Sequence, residues 1–185
     1  VKNTGADEDV DKDLIDFVTG TAGRVTEKMD KLRVADAITE IFNMFRRCNK
    51  YIDETMPWAL AKDEAKKDRL ATVLYNLVES ISIGASLLEP YMPETSVKIL
   101  KQLNAEKRSL EDAGVFGKYV SGTKVTESPQ ILFARLNAED VLKEVEERFG
   151  APDAEEKQEE SDEDVIDIEA KDEITFDDFM KMQFQ

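Results

Sequence analysis

The stretch Val34–Trp58, VADAITEIFNMFRRCNKYIDETMPW, carries two signals at once. Its apolar positions Ile38, Ile41, Phe42, Phe45, Cys48 and Ile52 return every three or four residues, the period of one helix face. Arg46, Arg47 and Lys50 fall largely on other sides of the same cylinder. The stripe stops at Met56-Pro57, because a proline steers the residue before it away from helical angles. Trp58, the only tryptophan, stands just past that corner. The pattern predicts a helix from about Val34 to a proline corner.

The same period recurs on both sides. Upstream, Val10, Leu14, Val18, Ala22, Val25, Met29 and Leu32 form one stripe, which predicts a single first helix from Ala6 to Leu32. Downstream, Leu70, Val73, Leu74, Leu77, Val78, Ile81, Ala85 and Leu88 predict a third helix over about Lys66 to Leu88, ended by Pro90. Gly84 inside it costs roughly 1 kcal/mol relative to Ala, which close approach of a neighbouring helix would offset. Pro93 suits the first turn of a fourth helix reaching about Leu103. After Asn104 the period weakens, and Gly114, Gly117, Ser121 and Gly122 predict loops before a final helix near Ala138 to Phe149. The expected fold over residues 1–150 is all-α, an up-and-down bundle of about five helices.

Charge is unevenly placed along the 185 residues: of the formal net charge of -16, residues 151–185 contribute 14 Asp or Glu against 3 Lys. The body is thus only mildly acidic, and the total does not exclude a polyanionic partner. Residues 153–164 contain no apolar side chain except Ala154, too little to offset chain entropy, so 151–173 is expected to be a flexible acidic linker. Thr175 and Asp178 read as a capping box for a short helix carrying Phe176, Phe179 and Met180, a last element expected to be truncated.

The chain has no histidine and one cysteine, Cys48. Most hydrolase and metalloenzyme readings thereby lose their usual base and ligand, and no internal disulfide is available. No stretch approaches the roughly 20 apolar residues of a membrane span, and a secretory signal pattern is lacking at the N-terminus, so a cytoplasmic protein is expected. Asp7, Asp9, Asp11 and Asp13 alternate like calcium-loop ligands, but Lys12 and Val18 stand where that loop requires Gly and Glu. They read instead as a solvated acidic first turn that complements the helix dipole. Cys48 lies on an apolar stripe and reads as a core thiol. A lone tryptophan in a helical bundle is more often core than ligand, yet Trp58 follows a proline corner and the helix leading there carries basic residues, an arrangement that can stack a nucleic-acid base. The island Val165–Ile168 within the acidic tail supports an alternative, an acidic helical adaptor for protein partners.

The run Asn49-Lys50-Tyr51-Ile52-Asp53-Glu54-Thr55-Met56-Pro57-Trp58-Ala59 resembles the signature of the anticodon-binding bundle of methionyl-tRNA synthetases. The resemblance continues through Leu74–Leu77, Leu87–Thr95 and Gln130–Leu136, where Ala134 departs from the family's proline, and Ile174–Phe179 resembles the opening of an appended tRNA-binding OB-fold, here residues 174–185. It implies recognition of a tRNA for methionine, with Trp58 stacking on an anticodon base and Pro57 holding it in place. Asn49 and Lys50 belong to the signature; Arg46, Arg47 and Lys50 are phosphate-contact candidates on charge and position alone. The family's ATP site and zinc knuckle lie in a Rossmann catalytic domain whose His-Ile-Gly-His and Lys-Met-Ser-Lys-Ser motifs are not in this sequence. The resemblance therefore implies a chain without cofactor that is catalytically inert by itself. The family's further anticodon readers are expected upstream of residue 1. A monomer is expected for this chain, with homodimerisation of the longer protein through the OB-fold.

Overall fold

The computed structural model describes residues 1–150 and divides the chain into two compact units, Val1–Ala134 and Arg135–Gln185. The expected linker and C-terminal stub lie outside the described residues. In the first unit the order is α1 (Asp9–Thr19), α2 (Thr21–Asp30), α3 (Val34–Thr55), α4 (Pro57–Leu60), a 3-10 turn (Glu64–Lys66), α5 (Lys67–Leu88), α6 (Pro93–Leu103) and a second 3-10 turn (Asp112–Gly114). The second unit contains α7 (Ala138–Phe149), whose start is capped by the Asn137 side chain accepting from the Glu139 N–H at 3.2 Å. No β-strand occurs among the described residues.

The expected all-α fold is found, but the single first helix is not. The helix is interrupted at Gly20, and α1 and α2 share the predicted stripe through Leu14, Val18, Ala22 and Val25, all buried. The cause lies at the Phe17 carbonyl. It accepts from the Thr21 hydroxyl at 2.9 Å and from the Arg24 guanidinium at 3.0 Å, so side chains serve an acceptor that an unbroken helix would give to backbone. A Cβ on Gly20 would stand 2.8 Å from Arg24 Nη1, so a larger residue there would require that guanidinium to shift.

Helix α5 is the axis of the bundle: α3, α6 and α1 all pack on it, and α2 covers α3. By length and composition the segment Glu64–Leu88 could cross a membrane, which the sequence reading did not anticipate, yet 78% of its most apolar window is buried inside the protein. Its buried face also differs from the expected stripe. Leu74 is exposed, whereas Thr72, Asn76, Glu79, Ser80, Ser82 and Ser86 are buried. Small hydroxyls are tolerated there because they bond to helix carbonyls, Ser80 to Asn76 at 2.7 Å and Ser86 to Ser82 at 2.9 Å. Ser96 of α6 likewise donates to the Ala85 carbonyl at 2.7 Å. At Gly84 the anticipated close approach is real: an added Cβ would overlap Met44 and stand 2.7 Å from the Phe45 ring, so α3 lies directly against the α5 backbone.

Candidate nucleic-acid interface

The corner predicted at Met56-Pro57 is built from local bonds. Met56 adopts a left-handed conformation (φ 45°, ψ 63°), and its N–H bonds to the Ile52 carbonyl at 2.9 Å, closing α3. Pro57 then opens α4, a position where its missing N–H goes unused. The Met56 carbonyl accepts from Ala59 at 2.8 Å and from Leu60 at 3.2 Å. One turn is enough to send neighbouring side chains apart: Leu60 packs against the core, while Trp58 remains 54% exposed. The turns continue through Lys62 to Ala59 at 3.2 Å and Lys66 to Asp63 at 3.0 Å, with the Asp63 carboxylate capping Ala65 at 3.0 Å. The segment 56–66 is thus a series of short, locally bonded turns bearing an exposed indole.

The polar candidates on α3 differ in availability. Arg46 is exposed and its guanidinium donates to Asn43 at 2.6 Å. Lys50 is exposed, with Nζ 3.4 Å from Glu54. Asn49 is also exposed and borders an apolar cleft of about 340 Å³ with Phe42, Phe45, Ile52 and Phe133. Arg47 is different: its side chain is 12% exposed, it pairs with Glu54 at 3.0 Å and reaches the Val10 carbonyl at 3.5 Å. Residues 46–70 carry seven Lys or Arg against five Asp or Glu, a local positive excess in a chain of net charge -16. Cys48 is buried as expected, and burial pushes its thiol up to about 11, far from a nucleophile's range. Among the described residues no group of three or more His, Cys, Asp or Glu is placed to hold a metal ion.

A family model described as the anticodon binding domain of methionyl tRNA ligase matches residues 1–154. The chain belongs to that family. The methionine–tRNA ligase of Clostridium perfringens is 39% identical over 178 residues, covering 96% of this chain and 27% of its own length. That of Caldanaerobacter subterraneus is 42% identical over 179 residues, covering 96% of this chain and 26% of its own length. The chain therefore spans about a quarter of the length of the curated relatives it matches. Among solved structures, the apo methionyl-tRNA synthetase of Mycobacterium tuberculosis aligns with a TM-score of 0.67 at 33% identity, covering 74% of this chain and 28% of that one. The enzyme of the same organism in complex with methionyl-adenylate gives 0.66 at 34% identity, covering 73% and 27%. These matches do not favour the adaptor alternative, whose Val165–Ile168 island lies outside the described residues.

Two buried acid–arginine centres in this anticodon-binding domain escaped the sequence reading. Asp11 is not solvated with its acidic neighbours. It is 1% exposed, takes Arg69 in a two-point pair at 2.6 and 3.0 Å, and accepts from the Tyr51 hydroxyl and from the Glu8 N–H at 2.7 Å. Burial raises the Asp11 carboxyl, but the donors Arg69, Tyr51 and Glu8 N–H together bring it below the ordinary carboxylate value. Glu79, fully buried, pairs with Arg108 at 2.6 and 2.9 Å and accepts from the backbone N–H groups of Gly117, Lys118 and Tyr119 at 2.6, 2.9 and 2.8 Å. A signal existed for the first: Asp11 stands three residues before Leu14, on the stripe that points inward.

Proposed function

We propose that this domain recognises the anticodon of a tRNA for methionine, with Trp58 as the platform on which an anticodon base stacks. One observation carries the reading: an indole of the family signature stands 54% exposed on a single turn whose neighbour Leu60 is packed inward. Pro57 fixes the approach of the ring. Asn49, Lys50 and Arg46 present polar groups to solvent on the preceding helix, where Lys50 and Arg46 contact phosphate. Arg47 joins them only by exchanging Glu54 for a phosphate oxygen. ATP-dependent attachment of methionine, with ATP and zinc bound elsewhere, belongs to a longer cytoplasmic protein. This chain alone is monomeric.

The sole tryptophan is both the contact and the reporter. Titration with a methionine-tRNA anticodon stem-loop at low salt should quench Trp58, and a loop with altered anticodon should not. Trp58→Ala should weaken binding by about 1–3 kcal/mol, the general worth of one base stack, and change stability by less than about 0.5 kcal/mol, as expected of an exposed side chain. Equal quenching by both loops, or none by either, would sink the proposal.

A further inference from the structure

We infer that Asp11, with Tyr51 as its second arm, is the positioning residue of the Trp58 platform: one buried carboxylate ties down the entry and the exit of the segment that carries the indole. The inference rests on the reading of Trp58 as the base-stacking group. Tyr51 lies in the last two turns of α3, just ahead of the Met56 corner, and Arg69 lies in the first turn of α5, just past the 3-10 turn. Both side chains end on Asp11. The Tyr51 hydroxyl and Arg69 Nη2, the latter at 3.0 Å, share Oδ1, and Arg69 Nη1 is 2.6 Å from Oδ2.

Between these ends the segment is held by the packing of α4 on α5 and by Leu60. Residues 56–66 bond among themselves turn by turn, which keeps the segment's shape but does not fix its orientation on the bundle, and Leu60 is the one α4 side chain packed on the core. A self-bonded unit anchored at two ends moves when either anchor moves. The carboxylate itself cannot shift easily, because Asp11 belongs to α1 and reaches back to the Glu8 N–H at 2.7 Å. Arg69 is further held by the Ala6 carbonyl at 3.0 Å, and the Tyr51 hydroxyl accepts from Asn76 at 3.3 Å. No buried side-chain nitrogen or oxygen among the described residues lacks a partner, the condition under which a buried polar cluster specifies one geometry rather than several.

Tyr51→Phe tests this with the least disturbance, since it keeps the packed ring and removes one donor from Asp11. Tyr75→Phe is the matched control: it also deletes a buried hydroxyl, one donating to the Tyr119 carbonyl at 2.8 Å, with no link to the 56–66 segment. Two quantities are read on the 185-residue chain, the fluorescence anisotropy of Trp58 and the affinity for the methionine anticodon stem-loop, alongside the thermal midpoint. Tyr51→Phe is expected to lower Trp58 anisotropy and weaken loop binding about threefold, a fraction of a full stacking contribution. Tyr75→Phe is expected to lower the thermal midpoint comparably while leaving both quantities unchanged. If the two variants cannot be told apart in anisotropy and affinity, the centre is merely structural and the inference is overturned. If the unaltered chain does not bind the loop, the stacking reading has failed, and the anisotropy contrast still decides whether Asp11 and Tyr51 hold Trp58 in place.

Discussion

The two acid–arginine centres share an axis, α5, and a chemistry, yet they do opposite jobs. Asp11 takes two side chains and one backbone N–H and joins three helices, α1, α3 and α5. Glu79 takes one side chain and three successive backbone N–H groups and fastens the irregular stretch from Arg108 to Tyr119 onto a helix. The difference follows from who needs a partner. Helices satisfy their own interior backbone groups, so a carboxylate between them is left mainly with side chains and, at a helix start, an unused N–H such as that of Glu8. A loop folded against the core has unsatisfied N–H groups, and a buried acceptor with several lone pairs settles them together.

The largest test of that contrast is Arg108→Ala. It leaves Glu79, fully buried, without its countercharge, and should cost about 3–5 kcal/mol in urea unfolding. Amide exchange at Gly117–Tyr119 should accelerate first, as the loop loses its anchor. A cost under about 1 kcal/mol would mean that the three N–H groups suffice to hold the Glu79 carboxylate without Arg108.

Gly84→Ala probes the seam between α3 and α5. Overpacking costs roughly 1–3 kcal/mol, offset by about 1 kcal/mol of regained helix propensity, for a net loss of up to about 2 kcal/mol. Since Tyr51 is on α3 and none of the partners of Glu79 is, the disturbance should reach Trp58 anisotropy and spare exchange at Gly117–Tyr119. The reverse pattern would assign the seam to the loop.

The smallest effect is in acid. The Asp11 carboxyl is lowered in the folded state, so its contribution to stability is present above the unfolded carboxylate value and disappears as pH falls through the folded one. Urea midpoints of the unaltered chain and of Asp11→Asn, measured from about pH 6 down to about pH 3 across the ordinary carboxylate range, should converge as pH falls. Parallel curves would show that Asp11 does not titrate in this window, and the comparison with Glu79 would lose its electrostatic half.

How much of this was legible in the sequence varies residue by residue. The stripe of α3, the stops at Pro57 and Pro90 and the start at Pro93 stood in the order of side chains, because proline and the 3.6-residue period act locally. Trp58 was legible as an outlier from any stripe. Asp11 was misread because its neighbours Asp9 and Asp13 are exposed and only its helical phase set it apart. The interruption at Gly20 could not be read, since it goes with Arg24 reaching back to the Phe17 carbonyl. Arg47 could not be told from Arg46 by charge, although one is paired with Glu54 and the other lies open to solvent.

The sequence by itself determined that helices stop or start at Pro57, Pro90 and Pro93, that the class is all-α, and which eleven-residue run, from Asn49 to Ala59, ties the chain to its family. Those properties are local: backbone angles, period and the order of letters need no distant partner. Only the tertiary structure decided that α5 is buried nearly all round, that Asp11 and Glu79 are interior, and that Trp58 faces outward while Leu60 faces in. Each of those depends on groups far apart in the chain, such as Asp11 with Arg69 or Glu79 with Gly117, meeting where water is excluded. Burial and pairing are properties of that meeting.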